Sequence, residues 1–120
     1  AWILTGCAHS GIINTLRRLE NIVPSLAVHA IIGGLHLVYK KEDEIKPVID
    51  ALRSYRPKLI SPCHCTGFLA TRMIWEAFER QFVLNFPGER LQARKELNRK
   101  YSDTTGYDPQ VSGACVFQYL

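Results

Sequence analysis

The stretch WILTGCAHSG, residues 2–11, decides the fold. Its first half is apolar and rich in residues that suit a buried strand. Gly6 breaks that run, and a cysteine and a histidine then stand two residues apart, at Cys7 and His9. Ser10 can cap a following helix, because a serine hydroxyl satisfies an orphan amide of the first turn. Ile12, Leu16, Leu19 and Val23 then recur at helical spacing, with Arg17, Arg18 and Glu20 off the stripe and Pro24 at its end. A strand that passes through a small-residue loop into an amphipathic helix opens a βα unit.

Working outward, the same pattern recurs twice. LAVHAII, residues 26–32, is apolar at nearly every position, which suits a strand buried on both faces of a parallel sheet. Gly33 and Gly34 are expected to stop it, and the following GGLHL carries His36. The next helix is expected from near Asp43, with Ile45, Val48, Ile49, Leu52 and Tyr55 inward and Pro47 in its first turn. KLIS, residues 58–61, reads as a third strand closed by Pro62, and PCHCTG then brings Cys63, His64 and Cys65. A third helix is expected over 68–80 with Leu69, Met73, Ala77 and Phe78 inward, and QFVLNF, residues 81–86, as a fourth strand. This alternation predicts an α/β fold with right-handed crossovers and a largely parallel sheet. Beyond it the character changes: residues 87–120 read as a polar helical extension, a turn-rich loop and a final strand, CVFQYL. The chain thus divides into 1–86 and 87–120.

The bulk properties narrow the function classes. A chain of 120 residues suits one domain with a real core. No apolar run approaches the roughly 18 residues of a membrane span, and no basic segment leads into a hydrophobic one as in a signal peptide. The chain opens at Ala1 inside its first strand, so a fragment or a trimmed chain is expected. The net charge of +4 tolerates an anionic partner without specifying one. The modest basic cluster Arg90, Arg94, Lys95, Arg99 and Lys100 is interrupted by Glu89, Glu96 and Asp103, which reads as a solvated helix face and not a nucleic-acid patch. Cys7, Cys63, Cys65 and Cys115 are even in number, but the composition is not that of a disulfide-stapled secreted domain; a reducing, cytoplasmic setting is expected.

His9, His36 and His64 each follow closely on a predicted strand. In open α/β sheets, ligand sites lie outside the carboxyl ends of the strands. Three neutral imidazoles there predict a shared divalent metal. His29, in mid-strand, reads as packing. The run Cys63-His64-Cys65 lacks the spacing of a structural zinc site, and in an extended chain both thiols point away from the imidazole, so at most one joins it. Cys7, Cys63 and Cys65 are accordingly expected to pack as small apolar residues around the site. A catalytic pair of Cys7 with His36 or His64 is a competing enzyme reading; it requires a stabilised thiolate and an oxyanion hole.

TGCAHSGIINTL (5–16), AIIGGLHLV (30–38) and LISPCHCTGFLA (59–70) together resemble the C-terminal half of metallo-β-lactamase-fold hydrolases. The likeness is greatest to the branch that includes archaeal dihydropterin ribofuranosyl-aminobenzene phosphate synthases. The resemblance implies the C-terminal half of an αββα sandwich with one or two divalent ions, usually zinc. It implies that His9 and His64 are metal ligands, that His36 is a ligand or substrate contact, and that Ser10 and Thr66 meet substrate. The implied activity is metal-dependent hydrolysis, in which metal-activated water attacks an ester, a phosphodiester or a pterin-type small molecule. The superfamily's His-x-His-x-Asp-His motif is absent from these 120 residues, so the centre is expected to be incomplete in this chain, with weak metal affinity. The alternative is a truncated, non-catalytic remnant whose exposed sheet face binds another protein or a second copy. Neither membrane nor nucleic acid is an expected partner.

Overall fold

Apolar strands alternating with amphipathic helices can bury both only by layering, and the chain does so. The computed structural model describes residues 1–25 and 27–91. In order, these form β1 (Trp2–Thr5), α1 (Ile12–Ile22), β2 (Ala30–Gly34), α2 (Glu42–Ser54), β3 (Leu59–Cys63), a 3₁₀ turn (His64–Thr66) and α3 (Phe68–Phe78). The strands form one parallel sheet in the order β1-β2-β3, with Thr5 opposite Gly33 and Gly33 opposite Pro62. Two successive right-handed crossovers in one direction place their helices on the same face of the sheet. Ile3, Ile31 and Ile60 line that face. They share one core with Ile12 and Leu16 of α1, Ile45, Ile49 and Leu52 of α2, and Ala70, Met73, Ile74 and Phe78 of α3. Leu16, Ile45, Leu52 and Ile74 are fully buried, each contributing about 1.5–3 kcal/mol. Leu4, on the opposite face of β1, is 66% exposed. No described helix is long and apolar enough to cross a membrane.

Several boundaries differ from the sequence reading, each for a physical reason. β2 begins at Ala30, not residue 26, and it contains the two glycines expected to stop it. A Cβ on Gly33 would lie 2.0 Å from the Thr5 carbonyl oxygen, and one on Gly34 2.3 Å from that of Gly6. The neighbouring backbone comes so close that glycine is what lets the strand continue. His29 therefore precedes β2, where it stacks on Trp2 with ring centroids 5.8 Å apart. Likewise Pro62 lies inside β3 and does not close it. Ile60 turns its amide and carbonyl away from β2, to Gln81 and Val83, and Pro62 faces the same outer side, where no ladder with β2 needs its amide. The missing donor also ends pairing on that side. The expected fourth strand over 81–86 is reduced to a single parallel bridge between Ile60 and Phe82.

The helices follow their stripes with small rotations. In α3, Ala70 and Ile74 are buried with Met73 and Phe78, while Leu69 and Ala77 pack only at the margin. Val23, expected on the buried stripe of α1, is 48% exposed. α2 opens with Glu42, Asp43 and Glu44, which suit the positive end of the helix dipole. The Lys41 amide donates to Glu44 Oε2 at 3.0 Å, completing a reciprocal cap. Pro47 falls in the second turn of α2, at an exposed position, where it has no amide to offer the Asp43 carbonyl.

The packing divides the chain into Ala1–Asn85 and Phe86–Leu120. In the second unit the described residues hold one turn, closed by the Glu89 amide on the Phe86 carbonyl. From residue 92 onward, the polar helix and last strand expected within 87–120 lie outside the described residues, as does Cys115.

Candidate metal centre

All three strands run in one direction, so the loops that follow them emerge at a single edge of the sheet. The loop after β1 carries Cys7, His9 and Ser10; that after β2 carries His36; the 3₁₀ turn after β3 carries His64 and Cys65. Ser10 does not cap α1. Gly11 holds the cap position at φ +86, a conformation open to glycine. Its amide closes a turn onto the Ala8 carbonyl at 2.8 Å, leaving Ser10 exposed with its carbonyl accepting from Asn14 Nδ2.

The backbone at this edge is strained where the chemistry is. Ala8, His36 and His64 all lie in the left-handed region, at φ +51, +54 and +50. Each such residue costs of order 1–3 kcal/mol and persists only where its surroundings over-determine it. Those surroundings are visible. Leu35 and Leu37 are 1% and 6% exposed, and anchoring both in the core turns the intervening His36 outward. The Leu37 and Val38 amides both donate to the Cys65 carbonyl at 3.0 Å, and the Gly34 amide to the Gly6 carbonyl at 3.1 Å. The Leu35 amide donates to Thr66 Oγ1 at 3.1 Å. The three loops are thus tied directly to one another.

Two clusters result. His9 and His36 bring their rings together, with centroids 4.6 Å apart and planes tilted by 52°. His64 turns instead toward sulfur: its Nε2 lies 3.1 Å from Cys7 Sγ, a contact in which either atom can donate. The Cys65 thiol donates to the Cys7 carbonyl at 3.4 Å. Donor atoms of Cys7, His64 and Cys65 all lie within 4.8 Å of one another, and among the described residues this is the one such set. All three expected histidines therefore stand at one edge, but in two groups.

The sequence reading expects Cys7, Cys63 and Cys65 to pack as small apolar residues, with at most one flanking thiol joining His64; the structure sets Cys7 and Cys65 beside His64. The premise of that reading is an extended chain around His64, whereas residues 64–66 form a 3₁₀ turn that His64 enters at positive φ. Cys63 stays outside the set, so one flanking thiol joins His64 and the other does not. Burial, then a hydrogen bond and charge from Cys65, push the Cys7 thiol above its ordinary value, and burial does the same for Cys63. A thiol raised in this way is a poor nucleophile, which weighs against the Cys7–histidine catalytic pair despite their contact. Thr66 is fully buried and its hydroxyl accepts from Leu35, so it acts here as a fastening between loops.

No family model matches the chain. Two curated proteins of Methanocaldococcus jannaschii are similar to it. One is 7,8-dihydropterin-6-methyl-4-(β-D-ribofuranosyl)-aminobenzene-5′-phosphate synthase, 38% identical over 93 residues, covering 78% of this chain and 30% of the synthase. The other is an uncharacterised protein, 35% identical over 68 residues, covering 57% of this chain and 25% of its own length. Among solved structures, the crystal structure of a metal-dependent hydrolase of the β-lactamase superfamily superposes with a TM-score of 0.56 at 31% identity. That match covers 69% of this chain and 30% of the hydrolase. The chain therefore spans about a third or less of the length of the relatives it matches. Sequence and architecture agree: this chain resembles the metallo-β-lactamase-type metallohydrolases, of whose layered fold it carries one sheet and one helix layer.

Proposed function

We propose that the chain supplies three loops of a metal-dependent hydrolase centre, with His9, His36 and His64 as ligands of a divalent ion, zinc by preference. The observation that carries this reading is the arrival of three imidazoles from three separate strands at one sheet edge, two of them at left-handed backbone positions. The donor chemistry fits: exposed imidazoles and thiols suit a borderline ion such as zinc, and none of the three loops carries a carboxylate that would favour magnesium or calcium. When bound, such an ion supplies Lewis acidity to the bond being cut and makes water a competent nucleophile near neutral pH. This chain's own residues orient and enclose. Leu35 and Leu37 fix the direction of His36, the Cys65 carbonyl holds the β2 loop against the 3₁₀ turn, and Ser10 stands free to meet a substrate. Thr66 serves the substrate through the wall it fastens. The general base comes, in this reading, from outside these loops.

The substrate class proposed is a small molecule with an ester, phosphodiester or pterin-type group, a choice that the similarity to the archaeal synthase supports. Calorimetric titration of the chain with zinc tests the reading. Weak binding is expected, reduced at least tenfold in His64→Ala and, in a chain whose Cys7 and Cys65 are replaced by serine, by the His9→Ala/His36→Ala double substitution, with helical content unchanged. Equal affinity in each variant and its parent chain would count against it. The second reading, a binding module, draws on the 66% exposure of Leu4 on the sheet face away from the helices; a monomer at all concentrations in sedimentation would remove that support.

A further inference from the structure

We infer that Cys7, His64 and Cys65 form a thiolate-containing site for a soft or borderline divalent ion of the zinc class, distinct in its donors from the His9–His36 pair. The inference rests on the functional reading only in sharing His64.

Three observations carry it. The first is geometry: the three donor atoms lie within 4.8 Å of one another, and the closest two, His64 Nε2 and Cys7 Sγ, are 3.1 Å apart. In a tetrahedral zinc site with Zn–S of about 2.3 Å and Zn–N of about 2.0–2.1 Å, sulfur and nitrogen ligands stand about 3.5 Å apart. The 3.1 Å separation of His64 Nε2 and Cys7 Sγ is already close to that spacing. The second is the close approach that Gly34 permits between the Cys65 thiol and the Cys7 backbone. A Cβ on Gly34 would lie 2.8 Å from Cys65 Sγ and 3.2 Å from Cys7 Cα, besides 2.3 Å from the Gly6 carbonyl oxygen, so any larger residue there would push Cys65 away from the Cys7 loop. The third is how the ligand-bearing loops are held. The Cys65 carbonyl takes two amides, from Leu37 and Val38, and the Gly6 carbonyl takes that of Gly34, so both loops are fixed to β2 or its exit before any ion arrives. Such backbone fastening leaves less to be ordered on binding than in a flexible site.

The donor set also predicts selectivity. Two sulfurs and one imidazole select zinc, cadmium or cobalt over magnesium, calcium or manganese, which prefer oxygen. Three protein donors leave the fourth tetrahedral position open, as in catalytic and not structural zinc sites. Binding exchanges two thiol protons for one dication; the protons leave to solvent, and no oxidant or reductant takes part.

Cobalt(II) spectroscopy separates this inference from the histidine-only reading. In the 120-residue chain carrying C63S and C115S, Cys7 and Cys65 are the sole thiols. Titrated with cobalt(II) under anaerobic, reducing conditions, this chain should develop sulfur-to-cobalt charge-transfer absorption that saturates at one ion per chain. The band should be lost on adding C7S or C65S and kept in the His9→Ala/His36→Ala background. Cobalt that binds without a sulfur band, and is lost in the double histidine variant, overturns the thiolate site and leaves the histidine reading standing. A sulfur band indifferent to His9 and His36 supports the thiolate site and shows that those two residues do not ligate the same ion. A second measurement needs no substitution. On the unmodified chain, saturating zinc should protect Cys7 and Cys65, but not Cys63, from alkylation read by mass spectrometry. Equal labelling of Cys7 and Cys65 with and without zinc overturns the inference.

Discussion

The helix layer hides Ile12, Leu16, Ile45, Leu52 and Ile74 behind Ile3, Ile31 and Ile60, while the strand-end loops leave His9, His36 and His64 exposed. The layer is held by dispersion and apolar burial, which are tolerant of small shape changes. The loops are held by a few directed hydrogen bonds and by glycines that admit neighbouring backbone, with Ala8, His36 and His64 at positive φ. Apolar burial in one region thus offsets conformational strain in the other, and three of the five described non-glycine residues at positive φ stand where donor atoms converge, the others being Ser25 and Arg56. Stability and chemistry are separable here, and substitutions can move one without the other.

The sharpest break should come at the seam between the regions. Gly33→Ala places a Cβ 2.0 Å from a backbone oxygen of Thr5, at φ +117, where neither side can retreat without parting β1 from β2. A loss of about 4 kcal/mol or more is expected, with much of the folded population. Ile74→Ala, wholly within the helix layer, should cost about 2–5 kcal/mol and leave zinc affinity unchanged once folding is allowed for. Urea denaturation with far-ultraviolet circular dichroism reads both. A Gly33→Ala chain as stable as wild type would show that β1 and β2 do not pair at this register.

A smaller effect isolates the strain itself. His36→Gly removes a side chain from the left-handed region, a relief of about 1–2 kcal/mol, against the 0.5–1 kcal/mol of chain entropy that glycine adds. Its net effect on stability should lie within about 1 kcal/mol of zero. His36→Val puts a β-branched residue in the same conformation and should be less stable than His36→Gly by about 1–2 kcal/mol. The two variants lack the imidazole alike, so a stability gap between them measures backbone strain and not a lost contact. Equal midpoints for the two would contradict the positive φ.

Order and class of the elements are legible in the sequence because burial imposes periodicity: Ile12 and Leu16, or Ile45, Ile49 and Leu52, are recognisable from spacing alone. The placement of the three histidines just past three strand ends is legible for the same reason. What escapes is decided by contacts between segments far apart in sequence. Gly33 and Gly34 read as breakers because their local propensity is poor, yet the nearness of Thr5 and Gly6 makes them the end of the central strand. Pro62 reads as a stop, although the side of β3 it faces is what matters. Cys7 and Cys65 read as filler because Cys63-His64-Cys65 is taken as extended; the 3₁₀ turn that brings Cys65 round is fixed by amides of Leu37 and Val38, about 28 residues upstream. Local pattern thus finds the sheet edge, and long-range backbone contacts decide which donors meet there.

The smallest effect tests the layer's periphery. Glu44 accepts from Lys40 Nζ at 2.7 Å and from the Lys41 amide, and these contacts, the lysine first, hold its carboxyl below the ordinary glutamate value. The sign follows from linkage: a depressed folded-state pKa means that the unfolded chain binds the proton more readily. Glu44 therefore adds stability above the pH at which an unfolded-chain glutamate titrates, about 4.3, and loses it as pH falls through the lower folded value. Glu44→Gln should lower the denaturation midpoint slightly at pH 7, the gap shrinking between pH 5 and pH 3 and also in high salt, since the pair is exposed. Loop chemistry should be indifferent to it, because the partners of Glu44 are Lys40 and the Lys41 amide, neither of them a proposed donor. A zinc affinity that follows Glu44→Gln would show that the helix layer and the strand-end loops are coupled after all.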